Sequence, residues 1–284
     1  MSPISHAKPE FTREPPPPRH GSAFLIVLVA LSAVFSLLSL VQFQLGRRRA
    51  ELRMDRARVE LDGALLLGVE RGMRLWEAGG ESAEVFGADN GAEVRLQLLD
   101  MQSHLDVNSL LRAEALQEPF LRVLRAFERD LDRASLDEWI REGRPLADLR
   151  EWPRALPQAA EWLREDGEGS PERFLTALPL PALGVNRVNL NTVDPALLLL
   201  LAGRELRGWA DAVVAMREEE PLQSAEAVLS LLPPPVAATL SGLVAVDSQW
   251  MMLLVEAEYD YTVRRGRYLL TRTTEGWIEV FACR

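Results

Sequence analysis

One cysteine, Cys283, and three histidines, His6, His20 and His104, are all the chain holds of the residue types that most often bind transition metals. A disulfide within the chain is therefore impossible, and so is a zinc site built from several thiolates. The histidines are too scattered for a histidine-based metal cluster. Positive charge is also short: 32 Lys+Arg stand against 42 Asp+Glu, a net charge of -10 with a pI ≈ 5.0. A chain this acidic has little long-range attraction for phosphate backbones, which argues against generic nucleic-acid binding. Apolar residues are plentiful, 48% hydrophobic against 26% charged, the balance of a globular chain with a core. Its 284 residues suit two domains, or one domain with a large insertion.

Residues 1–20 are proline-rich, with the run Pro15–Pro18, and cannot bury enough apolar surface to order themselves; they read as a disordered leader. From Ala23 to Val41 no charge occurs: AFLIVLVALSAVFSLLSLV. As a helix rising about 1.5 Å per residue, this run spans a hydrocarbon core of about 30 Å. Ser32, Ser36 and Ser39 can place their hydroxyls on carbonyls one turn back. A signal peptide would have a shorter apolar region, roughly 7–15 residues, ending in a small-x-small site. This run ends instead in Gln42-Phe43-Gln44-Leu45-Gly46 and then Arg47-Arg48-Arg49, so a retained transmembrane helix is expected. Lys8, Arg13 and Arg19 precede it, while Arg47, Arg48, Arg49, Arg53, Arg56 and Arg58 follow. Taken alone, that asymmetry places the C-terminal side in the cytoplasm. No proline interrupts the chain from Arg47 to Ala78, so the helix should continue. Ala57, Leu61, Ala64, Gly68 and Gly72 recur every three or four residues, a face of small and apolar side chains. Such a face packs closely, either on the helix's own domain or on a neighbouring subunit.

Ala78-Gly79-Gly80 should close this helix. Glu93–Asp100 alternates Val94, Leu96 and Leu98 with Glu93, Arg95 and Gln97, a half-buried strand. Further strands are expected at Met251–Val263, at Arg267–Thr274 after a turn at Arg264-Arg265-Gly266, and at Trp277–Phe281, in an antiparallel meander. Between them the pattern is helical, with candidates at Leu121–Leu131, Leu136–Arg141, Pro157–Arg164, Pro195–Ala202, Gly208–Glu218 and Ser224–Leu232. A weak internal repeat runs through this stretch. VNSLL at 107–111 and VNLNTVDPALLLL at 188–200 each open a helical unit. Each unit later reaches a charged turn and a Pro-Leu pair, in EGRPLADL at 142–149 and EEEPLQSAEAVL at 218–229. Asp194-Pro195 marks a helix start, a cap followed by proline in the first turn.

These parts, in this order, resemble the type II secretion system protein K family of minor pseudopilins. Arg19-His20-Gly21 followed by Ser22-Ala23-Phe24-Leu25-Ile26 is similar to a prepilin-peptidase site. Asp100-Met101-Gln102-Ser103, then Asn108-Ser109-Leu110, resembles the family's entry to its helical insertion. Val188-Asn189-Leu190-Asn191-Thr192 is similar to its second-unit signature, and Trp209–Leu232, with Met216-Arg217 and Pro221-Leu222, follows as it does in the family. The resemblance implies an α+β, pilin-like fold. A long N-terminal transmembrane helix packs on an antiparallel sheet, and a large helical insertion lies between strands. It implies a leader at 1–21 and a long helix at 22–78, with the membrane span at 23–41. The sheet domain would be 79–107 with 248–284, and the insertion 108–247. Cleavage between Gly21 and Ser22 with N-methylation of Ser22 is implied, as is a family motif at Asn108, Asn189, Asn191 and Thr192. The implied partners are prepilin peptidase, other minor pseudopilins in a tip complex, the major pseudopilin and the inner membrane. The bulk of the chain would then lie in the periplasm. Most pilins carry Glu at the fifth mature position. Here that position is Ile26, as in the K family, and a subunit at the tip has no upper neighbour for such a carboxylate to serve.

Other chemistries compete for single segments. VNLNT also resembles helix-hairpin-helix modules of membrane-anchored DNA-uptake proteins, which hold phosphate on a glycine-rich hairpin. The matching stretch, Ala202-Gly203-Arg204-Glu205-Leu206-Arg207-Gly208, lacks the close glycine pair, and residues 186–232 hold four arginines against seven carboxylates. No carboxylate or serine has the sequence context of an enzyme site, so no catalytic residue and no organic cofactor is assigned. The acidic run Glu165-Asp166-Gly167-Glu168-Gly169-Ser170 could supply oxygen ligands for calcium, although a dense Asp-x-Asp pattern is missing. Trp139, Trp152, Trp162 and Trp209 are expected in the core of the insertion, with an exposed one available as an anchor for a partner.

Overall fold

The computed structural model describes residues 20–79, 83–127, 129, 131–156, 159, 173–180, 184–273 and 278–283, with the backbone alone at 20–23, 155, 278–280 and 283. Residues 1–19 of the expected leader and most of the expected Pro157–Arg164 helix lie outside them. The chain divides into two compact units, Met1–Val59 and Glu60–Arg284. A single helix, α1, runs His20–Ala78 and so contributes to both. In the first unit every described side chain from Phe24 to Arg56 is exposed. This helix is long and apolar enough to cross a membrane. Ser32 and Ser36 donate to the carbonyls of Leu28 and Ser32 at 2.9 and 2.8 Å, which removes the cost of a hydroxyl in an apolar surround. Gly79 ends the helix in the left-handed region, φ 63°, its amide on the Trp76 carbonyl.

In the second unit the helix lies on a five-stranded sheet ordered β1-β2-β7-β8-β9, antiparallel throughout. The strands are β1 (Ala83–Gly87), β2 (Glu93–Asp100), β7 (Trp250–Tyr259), β8 (Thr262–Arg272) and β9 (Ile278–Cys283). β2 is as its alternation indicates. β1 is an addition: its five residues carry one apolar pair, Val85 and Phe86, too little for a period to register. The expected turn at Arg264-Arg265-Gly266 is wrong. The chain reverses at Asp260-Tyr261, both at positive φ (46° and 61°), in a two-residue hairpin that pairs Tyr259 with Thr262. Neither residue is a glycine, so the sequence hides the turn. Gly266 sits inside β8 instead, because a Cβ there would lie 2.6 Å from the Tyr268 ring.

The expected small-residue face of α1 packs on the sheet. Leu61, Ala64, Leu65 and Val69 are buried with Val94, Leu96, Leu98, Leu253, Val255 and Ala257 in one apolar cluster. Ala57 is buried as well. Two glycines set the closeness of approach. A Cβ at Gly68 would stand 2.5 Å from Val255 Cγ1 and 3.2 Å from Val94 Cγ1; at Gly72 it would stand 2.7 Å from two carbons of Leu253. Valine at Val255 is stiff about χ1 and cannot swing away.

Between β2 and β7 the chain builds a mainly helical body. Its α-helices among the described residues are Gln117–Ala126, Arg133–Glu142, Trp152–Ala155, Pro195–Ala202, Arg207–Glu219, Ala225–Leu229 and Pro234–Ser241. The first begins four residues before the expected Leu121 and ends at Ala126, ahead of Leu131. Phe120, Leu124, Leu136, Trp139, Trp152, Leu197, Trp209 and Val213 share its core. Two short parallel strand pairs, which the helical reading of this stretch did not include, sit in the same body. β3 (Leu105–Asp106) pairs with β4 (Leu175–Thr176), and β5 (Val188–Asn189) pairs with β6 (Val244–Ala245). Leu105 and Val107 belong to this core although they precede the expected boundary at 108.

The contact geometry gives two opposite outcomes for one kind of substitution. Gly68→Ala forces Cβ onto Val255 and should lower stability by about 1–2 kcal/mol, overpacking outweighing the helix-propensity gain. Gly63, on the same helix, has nothing within 4 Å of a built Cβ. Gly63→Ala should raise stability by about 0.5–1 kcal/mol. Denaturant midpoints of the two variants check both signs.

Candidate functional site

The motif asparagines form two matching clamps. In the first, Asp106 of β3 starts a turn: its Oδ1 accepts from the Asn108 amide at 3.2 Å. Asn108 then reaches across the body, its Nδ2 donating to the Leu146 and Leu178 carbonyls, both at 2.8 Å, and its Oδ1 accepting from the Leu146 amide at 2.7 Å. In the second, Asn189 Oδ1 accepts from the Asn191 amide at 3.0 Å. Asn191 Nδ2 donates to the Leu222 and Val246 carbonyls at 3.0 and 2.9 Å, and its Oδ1 accepts from the Leu222 amide at 2.8 Å. Leu146 and Leu222 are the leucines of the two Pro-Leu pairs. The repeat is therefore physical, and its register is shifted by two: Asn108 corresponds to Asn191, whereas the shared Val-Asn pair in the sequence points to Asn189. In each unit one side chain closes a parallel strand pair onto a distant turn.

Around the clamps a polar seam, buried at Asp106 and Asn186, partly exposed at Asp100 and exposed at Thr192, ties the insertion to the sheet. Asp106, 1% exposed, is held by four donors: the amides of Asn108 and Leu178, Ser109 Oγ at 2.7 Å and Asn186 Nδ2 at 2.8 Å. Burial pushes its carboxyl above the usual carboxylate value, and those donors pull the other way. Asn186 Oδ1 accepts from Trp250 Nε1 of β7 at 3.0 Å. Asn189 Nδ2 donates to Asp100 Oδ2 at 2.8 Å and Ser248 Oγ at 2.9 Å, and Thr192 Oγ1 donates to the same Asp100 oxygen. From the Arg207–Glu219 helix, Arg217 Nη1 donates to the Leu190 and Val193 carbonyls at 2.8 and 2.7 Å. Burial lowers its pKa from the ordinary arginine value.

This chemistry is structural. The amides and carboxylates above are bonded to protein partners and so join elements. Trp209 donates to the Val228 carbonyl at 3.0 Å, and Trp139 and Trp152 are fully buried, so these three belong to the core; Trp162 lies outside the described residues. The hairpin glycine, Gly203, has φ 88°, and a Cβ there would lie 2.5 Å from the Arg122 guanidinium, so its space is taken from within the chain. The acidic run 165–170 lies outside the described residues. Among those described, no group of three or more His, Cys, Asp or Glu is placed to hold a metal ion.

The remaining positions fall on α1. Gly21 and Ser22 lie in its first turn, and Ile26 is 69% exposed. Leu61 and Ala64, each 1% exposed, face the sheet together with Gly68 and Gly72. Sequence reasoning did not single out Asp106, Asn186 or Arg217 as seam residues. Asp106 carried a signal, an Asp two residues before an Asn, and Arg217 stood in the Met216-Arg217 pair of the resemblance; Asn186 is placed by tertiary contacts alone.

No protein-family model and no curated protein matches this sequence. Among solved structures the chain is similar to a chain of the GspK-GspI-GspJ complex from the enterotoxigenic Escherichia coli type 2 secretion system. The TM-score is 0.56 at 15% identity, covering 84% of this chain and 99% of that one. The fold is thus α+β and pilin-like: a long N-terminal helix, an antiparallel sheet and a helical body inserted between its strands.

Asn108→Ala would strip partners from the Leu146 amide and two buried carbonyls, and should cost about 3 kcal/mol or more. Asn191→Ala should do the same in the second unit. A denaturation midpoint unchanged by both would refute the clamps. A second outcome concerns His104, whose Nδ1 lies 2.8 Å from Ser103 Oγ. Burial holds it below its ordinary 6.5, against the charges of Asp100 and Asp194. The unfolded chain therefore takes up the proton first as pH falls. Stability should drop as pH goes down through about 6.5 and level off below the folded value. His104→Gln should flatten that part of a stability–pH profile.

Proposed function

We propose that this chain is a membrane-anchored minor pseudopilin that caps a type II secretion pseudopilus and nucleates its assembly with other minor pseudopilins. One observation carries the reading: the helix, sheet and inserted body are similar in fold to a chain of a GspK-GspI-GspJ complex, over nearly the whole of that chain. The exposed apolar half of α1 would hold the subunit in the inner membrane until partner helices bury it, with the second unit in the periplasm. Its action is packing, not catalysis. Two features favour a cap over a repeating subunit. The insertion adds a broad helical body to the pilin-like sheet, and a copy stacked above would have to clear it. Ile26 puts an aliphatic group where other pilins present a carboxylate to the neighbouring N-terminus. The major pseudopilin would lie below, and prepilin peptidase would remove residues 1–21.

Mass spectrometry of the membrane-extracted protein should find an N-terminus at Ser22 carrying a methyl group, and Gly21→Ala should block that processing. A retained residue 1 in assembled material would sink the pilin reading. Gold-labelled protein should decorate one end of isolated fibres. Label along the whole fibre would refute the cap while leaving the fold untouched.

A further inference from the structure

The charge of α1 runs against that of the whole chain. Overall, acidic residues exceed basic ones, yet residues 47–58 hold six arginines with only Glu51 and Asp55 among them. They follow the exposed apolar run, which ends at Val41, after the uncharged stretch Gln42-Phe43-Gln44-Leu45-Gly46. At about 1.5 Å per residue the charge-free helix from Phe24 to Gly46 extends about 35 Å, longer than a hydrocarbon core of about 30 Å, so Arg47 begins in the headgroup layer. From Arg47 to Arg58 the helix rises a further ~16 Å, through the headgroup layer and into water. Arg47 is engaged by Glu51, Nε to Oε1 2.9 Å. Arg48, Arg49, Arg53 and Arg58 are exposed and, among the described residues, have no carboxylate partner. At about 100° per residue Arg48, Arg49 and Arg53 fall within about 140° of one another, while Arg58 lies opposite Arg49 but ~15 Å farther along the axis than Arg48, beyond the headgroup layer. The basic residues here are all arginines, Lys8 being the chain's sole lysine, and their planar forks match phosphate oxygens in pairs.

We propose that Arg48, Arg49 and Arg53 form a partial collar that binds the phosphates of anionic phospholipids of the phosphatidylglycerol class. The collar fixes the depth of α1 in the bilayer. It rests on the helix crossing a membrane, and it holds whichever face the C-terminal part occupies.

The test uses the full chain in bilayers of phosphatidylcholine with a minor share of phosphatidylglycerol, probed in turn with spin-labelled versions of each lipid. At low salt the protein should restrict phosphatidylglycerol several-fold more strongly than phosphatidylcholine. That preference should fade as salt rises, since the screening length shrinks from about 30 Å at 0.01 M to about 3 Å at 1 M. The R48Q/R49Q/R53Q variant should restrict both lipids equally while keeping its helix content and its resistance to alkaline extraction. Equal restriction by the native chain, a preference indifferent to salt, or a preference retained by the variant would each overturn the collar. A native chain that alkaline treatment strips from both bilayers would overturn the membrane span itself, an outcome distinct from the other three.

Discussion

A side-chain amide that satisfies three backbone groups at once is the interaction on which this molecule's inserted body depends. Leu146 and Leu222 each sit at the end of a charged turn, with amide and carbonyl both turned inward. Left unpaired, each such group would cost about 1–3 kcal/mol. Asn108 and Asn191 answer amide and carbonyl together and use their remaining donor on a carbonyl at or just beyond a short parallel strand, Leu178 or Val246. No apolar residue could do this, and neither could an aspartate, which has no donor for the two carbonyls. The strand pairs are only two residues long, so their own ladders add little; the asparagines keep the turns against them.

The seam between insertion and sheet follows from the same logic. β2 ends at Asp100 and β7 begins at Trp250, neighbours in the sheet but far apart in sequence. Everything between must leave and return at one place. The polar side chains gathered there, Asp100, Gln102, Asn186, Asn189 and Trp250, bond across that gap in both directions. Gln102 donates to the Arg187 carbonyl and accepts from the Gln249 amide. An apolar seam would bury as well, but it would fix orientation less sharply, since dispersion is non-directional. The helix-to-sheet contact is the opposite case, apolar throughout and sized by Gly68 and Gly72.

Much of this was legible beforehand. The long apolar run, the small-residue face of α1, the alternation of β2 and the Asp194-Pro195 helix start are local patterns with one physical solution each. The Pro-Leu pairs and motif asparagines were visible as a repeat, although the repeat's register was not. The β7–β8 turn was missed because Asp260-Tyr261 carries no glycine, while Arg264-Arg265-Gly266 supplies one inside a strand. Gly266 is explained only once Tyr268 is seen to lean over it.

Composition and periodicity by themselves determined that α1 exists, which of its faces is apolar and small, and that the middle of the chain is mostly helical. They could do so because each property is set within a few residues. Tertiary structure decided that the small-residue face meets the chain's own sheet, that Asn108 and Asn191 are equivalent, and that Asp106, Asn186 and Arg217 hold the seam. Each of those depends on groups brought together from distant parts of the chain. A hydrogen bond records nothing of its partner in the sequence around either end.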